Sequence, residues 1–288
     1  GGIEYSSFYG ICSTAYIVLR KKNDIVEQYY KYYFKTSKFI NDLTKDLEGI
    51  RDGKIISYRQ FSSLLLPMPN NKEQQKIADC LSSLDELIFA NEKKLAALKL
   101  HKKALMQKLF PTEEETIPEW RFPEFRSSGK WVLKAIREVC DSYSGGTPAT
   151  SNKANYGGKI PFIRSGEISK KVTELFLTEE GLKNSSAKMV AIGDVLVALY
   201  GANSGEVALS KINGAINQAI LCLKHKSKNA LIYHYLSHNK QRILKTHIQG
   251  GQGNLSGEII KSVKLNFPSS FIEQQKISAC LTSIDKLI

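Results

Sequence analysis

Between Lys153 and Lys171 the chain gathers residues suited to holding a polyanion: Lys153, Tyr156, Lys159, Arg164, Ser165, Lys170 and Lys171, set among loop-forming glycines. Amides of matching use lie further on: Asn203 in a glycine-bearing turn, and Gln249, Gln252 and Asn254 in and beside the polar stretch from Gly250 to Gly257. Arg51 and Lys54 mark a similar turn-rich piece near the start. Arginine reads guanine edges, asparagine and glutamine read adenine, and lysine mostly neutralises phosphates. The chemistry these types support is binding to DNA, although each of them also suits plain solvated surface.

Catalytic signatures are missing by comparison. The turns GGTP (145 to 148) and GANSG (201 to 205) carry no lysine to reach a nucleotide phosphate, and no GxxxxGK[ST] or HExxH is present. His234 and His238 stand four apart on a predicted helix but lack a third ligand, so they read as ordinary helix-face histidines and no metal is expected. An adenine methyltransferase would show an Asn/Asp-Pro-Pro-aromatic motif, and none is found. Cys12, Cys80, Cys140, Cys222 and Cys280 are odd in number and form no CxxC pair, which fits a reducing cytoplasm; Cys80 and Cys280 are expected on the apolar side of a helix. The apolar runs are far too short for a membrane span.

Charge supports the binding reading. The chain carries a net charge of +13, and residues 131 to 268 hold 18 Lys and Arg against 9 Asp and Glu. Such an excess favours a nucleic-acid partner through counterion release, a merely basic soluble protein being the plainer alternative.

The elements that must position these residues follow from a repeat. EQQKIADCLSSLDELI (73 to 88) returns as EQQKISACLTSIDKLI (273 to 288), identical at 11 of 16 positions with an offset of 200. In the first copy Ile77, Leu84, Asn91, Leu98 and Leu105 fall seven apart, with Leu81, Ile88, Leu95, Lys102 and Leu109 four residues behind. That is a coiled-coil seam, on a helix of about 38 residues and roughly 57 Å. Asn71 with Gln74 is expected to cap this helix and Ser270 with Glu273 its repeat, while Pro111 stops the first. Asn91 in the seam is expected either to meet a partner amide and fix register or to face solvent.

The predicted organisation is α+β, with mixed α/β domains joined by a long helix that forms an antiparallel coiled coil. Residues 1 to 70 read as the C-terminal half of a first domain and 71 to 110 as the helix. Residues 111 to 130 read as a polar linker, 131 to 268 as a second domain and 269 to 288 as the start of a second helix. Within these, Tyr16 to Leu19, the run entering LPMP, 194 to 201 and 217 to 223 are expected strands, and 25 to 47 and 230 to 248 helical. Aligning Ile17–Leu19 with Leu221–Leu223 matches residues 1 to 68 with about 205 to 268, so the expectation is a partial or rearranged first domain.

The order GGTP, YGGKIPFIRSGEIS, GDVLVALYGANSGEVAL, INQAIL, a helix, GGQGNLS and a proline-marked entry into EQQKI resembles the specificity subunits of type I restriction-modification systems, over nearly the whole chain. The resemblance implies two target-recognition domains, each reading one half of a bipartite double-stranded DNA site. The helices would serve as spacer and as docking site for methyltransferase subunits. It further implies a non-catalytic chain with no cofactor of its own. S-adenosylmethionine would belong to the modification subunits, and ATP with Mg to a restriction and translocase subunit. Self-dimerisation through the long helix, a cassette active only as a dimer, an interaction scaffold and an unrecognised nuclease are the competing readings.

Overall fold

A computed structural model describes residues 3–22, 24–45, 58–112, 114–226, 228–247 and 254–288. Arg51, Lys54, Gln249 and Gln252 fall outside the described residues. The chain folds as α+β, and its longest element is α4, Asn71–Leu109, which is continuous through the Lys94–Leu95 junction where two compact units divide.

In the first unit, α1 (Glu27–Tyr33), α2 (Ser37–Thr44) and α3 (Tyr58–Ser62) precede α4. The single helix expected over 25 to 47 is two, because Thr36 turns extended and its hydroxyl accepts from Phe39 N–H, capping α2. Tyr29 and Tyr30 bury against Ala78 and Ile77, so the start of α4 supplies the apolar floor for α1. Tyr16 to Leu19 is not a strand, and Ile17 is 51% exposed. Residues 63 to 70 are likewise irregular, because no described segment of this unit offers either stretch a ladder partner.

The cap of α4 is shifted from the expected place. Asn70, not Asn71, accepts from Glu73 N–H through Oδ1 at 3.0 Å, which aligns it with Ser270, whose Oγ accepts from Glu273 N–H at 3.4 Å. The reciprocal half of the box is unmade in both copies. Gln74 instead accepts from Val26 N–H and donates to the Pro69 carbonyl. The apolar stripe in the middle of α4 is uncovered, with Leu84, Leu87, Ile88 and Phe89 each 50% exposed or more. Leu95, Leu98 and Leu105 are half-buried, and Leu109 is buried. Asn91 is exposed and donates to the Leu87 carbonyl at 2.8 Å, so within this chain its amide is satisfied by its own helix. Cys80, expected on the apolar side, is exposed, while its counterpart Cys280 is half-buried.

The second unit is built from three small sheets. β1 (Val132–Ala135) pairs β10 (Lys264–Phe267), with α5 (Ile136–Val139) following β1. A second sheet runs β2 (Cys140–Ser144), β9 (Ile220–His225), β6 (Val195–Ala198), β7 (Val207–Leu209), all antiparallel. A third runs β4 (Leu175–Leu177), β3 (Tyr156–Ile163), β8 (Gly214–Ile216), β5 (Lys188–Val190), with β3 and β8 parallel. β6 reads Val-Leu-Val-Ala with all four buried, as a strand covered on both faces should. α6 (Glu179–Lys183), α7 (Asn229–His247) and α8 (Gly257–Ser262) complete the unit before α9, Phe271–Asp285. Leu231, Tyr235, Ile277 and Leu281 join Met106 and Leu109 of α4 and the following Phe110 in the main core, where Phe110 stacks on Tyr235 at 4.1 Å.

The described residues between 111 and 130 are a packed strap rather than a flexible linker. Asn266 Nδ2 donates to the carbonyls of Thr112 and Glu115, Trp131 N–H to Thr116, and Trp120 N–H to Lys108. Arg121 is the anchor: Nε and Nη2 donate to Glu273 Oε1 and Oε2 at 2.6 and 2.7 Å, and Nη1 to the Ser128 and Gly129 carbonyls. The two side chains are only 6% and 1% exposed. Composition suggested a linker because Pro and acidic residues dominate the stretch; one buried bidentate pair overrides that tendency.

Removing one partner of such a pair leaves a buried uncompensated charge. Arg121→Ala is therefore expected to cost about 3–5 kcal/mol in urea unfolding of the second unit, and Arg121→Met with Glu273→Leu much less. Equal losses for the two variants would refute the pairing argument.

Candidate nucleic-acid interface

Strand register collects four loops of the second unit at one end, and hydrogen bonds add a fifth. Ser144 at the end of β2 faces Leu221 near the start of β9, and Ala198 at the end of β6 faces Ile220. In the neighbouring sheet Ile163, the last residue of β3, pairs with Ile216, the last of β8. The link Asn217–Ala219 joins β8 to β9 and so ties these two sheet ends together. The loops that meet are 145 to 148, 164 to 174, 199 to 206, 217 to 219 and 254 to 256.

Specific contacts seal the cluster. Thr147 Oγ1 donates to Gln218 Oε1 at 2.6 Å, Leu199 N–H donates to the Ala219 carbonyl, and Leu255 N–H to the Leu199 carbonyl. Asn254 Oδ1 accepts from Gly201 N–H at 3.4 Å. A Cβ on Gly166 would lie 3.3 Å from Asn203 Nδ2, so the turns at Ser165–Glu167 and Gly201–Asn203 are immediate neighbours. Gly145 is required: its Cβ would fall 1.8 Å from the Ile216 carbonyl oxygen, so any side chain there would push the GGTP turn off the β8 end.

Asn203 and Asn254 are exposed at this end, and so are Thr147 and Gln218; Ser165 is half-buried. Lys170 and Lys171 are exposed on the same loop as Ser165, beside Val172 at 73% exposure. The arrangement presents hydroxyls and amides flanked by ammonium groups, the composition needed to meet base edges and phosphates together.

Three residues expected in this set are not presented at the loop end. Lys153, in the turn Lys153–Asn155 at the opposite end of β3, and Lys159, midway along β3 and about 13 Å from Ile163 at about 3.3 Å per residue, are exposed away from this end. Tyr156 points its hydroxyl into the protein, donating to the Pro148 carbonyl at 2.8 Å. In the other direction, sequence reasoning missed Gln218 and Tyr200, the latter 42% exposed beside the Gly201 turn. The polar pair Asn217-Gln218 inside the apolar run GAINQAIL was the available signal.

Arg164 is at the cluster but is not a free guanidinium. Nε and Nη2 donate to the two oxygens of Glu167 at 3.0 and 3.1 Å, and Nη2 also bonds Glu174. The Glu167 and Glu174 hydrogen bonds raise the Arg164 pKa further. Burial works against ionisation of Glu167, yet the bonds from Arg164 and from the Glu174 and Arg164 N–H groups outweigh it and lower its pKa. Arg164 therefore braces the Ser165–Glu174 loop, a geometry at odds with direct reading of a guanine edge.

Other titratable groups are structural. His234 is buried with its pKa pushed down to about 3 by burial and then by Lys102, and Asp285 Oδ2 lies 3.9 Å from its Nδ1. Burial raises the thiols of Cys140 and Cys222, the first to about 12 and the second to about 11, so neither offers a thiolate near neutrality. Among the described residues no three His, Cys, Asp or Glu side chains are placed to hold a metal ion, and no helix is long and apolar enough to cross a membrane.

The sheet-and-spacer fold matches solved structures. An S subunit of a type I restriction-modification system from M. genitalium aligns with 90% of this chain and 66% of its own at 17% identity, with a TM-score of 0.65. An HsdS subunit from Thermoanaerobacter tengcongensis aligns at 18% identity over 90% of this chain and 62% of its own, with a TM-score of 0.50. The family model for the type I restriction modification DNA specificity domain matches residues 1–100 and 128–288, and the chain belongs to that family. It is 28% identical to the type I restriction enzyme MjaVIII specificity subunit of Methanocaldococcus jannaschii, over 97% of this chain and 68% of that one. It is 25% identical to the EcoR124I/EcoR124II specificity subunit of Escherichia coli, over 90% and 63%. The chain thus spans about two thirds of the length of these relatives.

If Arg164 is a brace, Arg164→Ala leaves the nearly buried Glu167 carboxylate without its guanidinium. Urea unfolding should show a loss of about 1–3 kcal/mol. A variant as stable as the parent would mean that the pair contributes nothing to the loop.

Proposed function

We propose that this chain is a DNA-recognition component of a type I restriction-modification complex, in which the loop end of the second unit reads one half of a bipartite duplex site. The observation that carries the reading is the convergence of Thr147, Ser165, Asn203, Gln218 and Asn254 with Lys170 and Lys171 at one end of two sheets. Family membership adds the partners. Methyltransferase subunits would bring S-adenosylmethionine, and a restriction and translocase subunit would bring ATP and Mg, so this chain supplies specificity rather than catalysis. α4, about 58 Å long at 1.5 Å per residue, serves as spacer and docking surface for the methyltransferase subunits. The setting is the cytoplasm, where the host DNA and the partner subunits are.

A second reading has its own support. The uncovered stripe Leu84, Leu87, Ile88 and Phe89 suits pairing with another long helix, so the chain also acts as a dimer or as a coiled-coil scaffold. Phosphate contact separates DNA recognition from a protein scaffold. Binding to a mixed-sequence duplex should weaken steeply with salt, and Lys170→Ala with Lys171→Ala should reduce the log–log slope by about 2. Absence of duplex affinity at low salt, or an unchanged slope in the double variant, would contradict the assignment of this face.

A further inference from the structure

The repeat carries a second copy of the site that holds the strap. In the second unit Glu273 and Lys276, one turn apart at the start of α9, are both engaged by residues 120 to 129. Arg121 grips the Glu273 carboxylate with two hydrogen bonds. Lys276 bonds Glu124 and stands 4.9 Å over the Phe122 ring. Trp120 and Phe122 meet edge to face at 4.8 Å, and Phe125 is buried behind them.

At the offset of 200 the residues in the first unit are Glu73 and Lys76, identical in type, at the start of α4. Their hydrogen-bonded frame is similar. Glu73 N–H bonds Asn70 Oδ1 at 3.0 Å where Glu273 N–H bonds Ser270 Oγ. Gln74 and Gln274 each donate to the carbonyl of a preceding proline, Pro69 at 2.7 Å and Pro268 at 2.8 Å. The difference is in cover: Glu273 is fully buried under the strap, whereas Glu73 and Lys76 are exposed.

We infer that the Glu73–Lys76 face of α4 is a docking site for an arginine-bearing strap of the Trp-Arg-Phe-Pro-Glu pattern seen at Trp120–Glu124. The arginine supplies a planar fork that matches the carboxylate bidentately, a geometry lysine cannot reproduce. The aromatic on its far side takes the Lys76 ammonium as Phe122 takes that of Lys276, and the following acid meets the same ammonium. Ile77 and Ala78, the next residues along α4, pack with Tyr29 and Tyr30, so the site borders that cluster. This inference rests on the repeat and its geometry, and holds or fails independently of DNA reading.

The test uses the whole chain and a fluorescein-labelled peptide of residues 117 to 130, followed by anisotropy. The Glu273 site is already filled by the chain's own strap, so one added peptide should bind saturably at Glu73. Glu73→Gln should weaken it at least tenfold, as should a peptide with lysine at the Arg121 position, while Lys72→Ala leaves it unchanged. No saturable binding by the parent chain up to 1 mM peptide would overturn the inference. So would equal affinity in the Glu73→Gln chain, which would place the peptide elsewhere.

Discussion

The second unit depends on one short link. β8 belongs to one sheet and β9 to another, and only Asn217, Gln218 and Ala219 lie between them. A connection that brief forces the end of β8 and the start of β9 to the same place. Because β3 runs parallel to β8, and β2 and β6 run antiparallel to β9, three further loops are drawn to that end as well. The ladders deliver those loops, and the hydrogen bond from Leu255 N–H to the Leu199 carbonyl brings 254 to 256 against them. Variation of those loops then changes what is presented without touching the ladders, which is how a scaffold carries many specificities.

The repeated helix start is used in two ways within one chain. At α9 it is a closed site, its glutamate neutralised by Arg121 and its lysine spread between Glu124 and Phe122. At α4 the same residues are open. A bidentate arginine pair in a dry setting is specific because a misplaced partner leaves a charge buried, and the strap uses that property to fix the path of the chain between α4 and β1.

Periodic features of the sequence were legible. The repeat, α4, α7, the buried strands β6 and β9 and the family were all readable, since apolar spacing and motif order report them directly. Features that depend on distant partners were not. Residues 16 to 19 have strand composition but no ladder partner among the described residues of their unit, and the strap has linker composition but a buried guanidinium. Asn91, read as either a register-fixing seam amide or a solvent-facing one, is exposed and bonds its own helix at Leu87. Of the candidate site, Ser165, Lys170, Lys171, Asn203 and Asn254 lie on the loops gathered at one end of the second unit. Lys153 and Lys159 do not, because nearness in sequence along an extended strand is distance in space. Arg164 was singled out by type, and its two acidic neighbours, only 3 and 10 residues away, were the unused warning.

The central claim is that the loop end of the second unit is the surface that meets duplex DNA. Hydrogen exchange measured with and without a mixed-sequence duplex at low salt tests it most directly. Protection should appear in 145 to 147, 165 to 171, 201 to 204, 217 to 219 and 254 to 256, and spare 153 to 159. Protection confined to residues 153 to 159 or to α4, with the five loops unchanged, would contradict it.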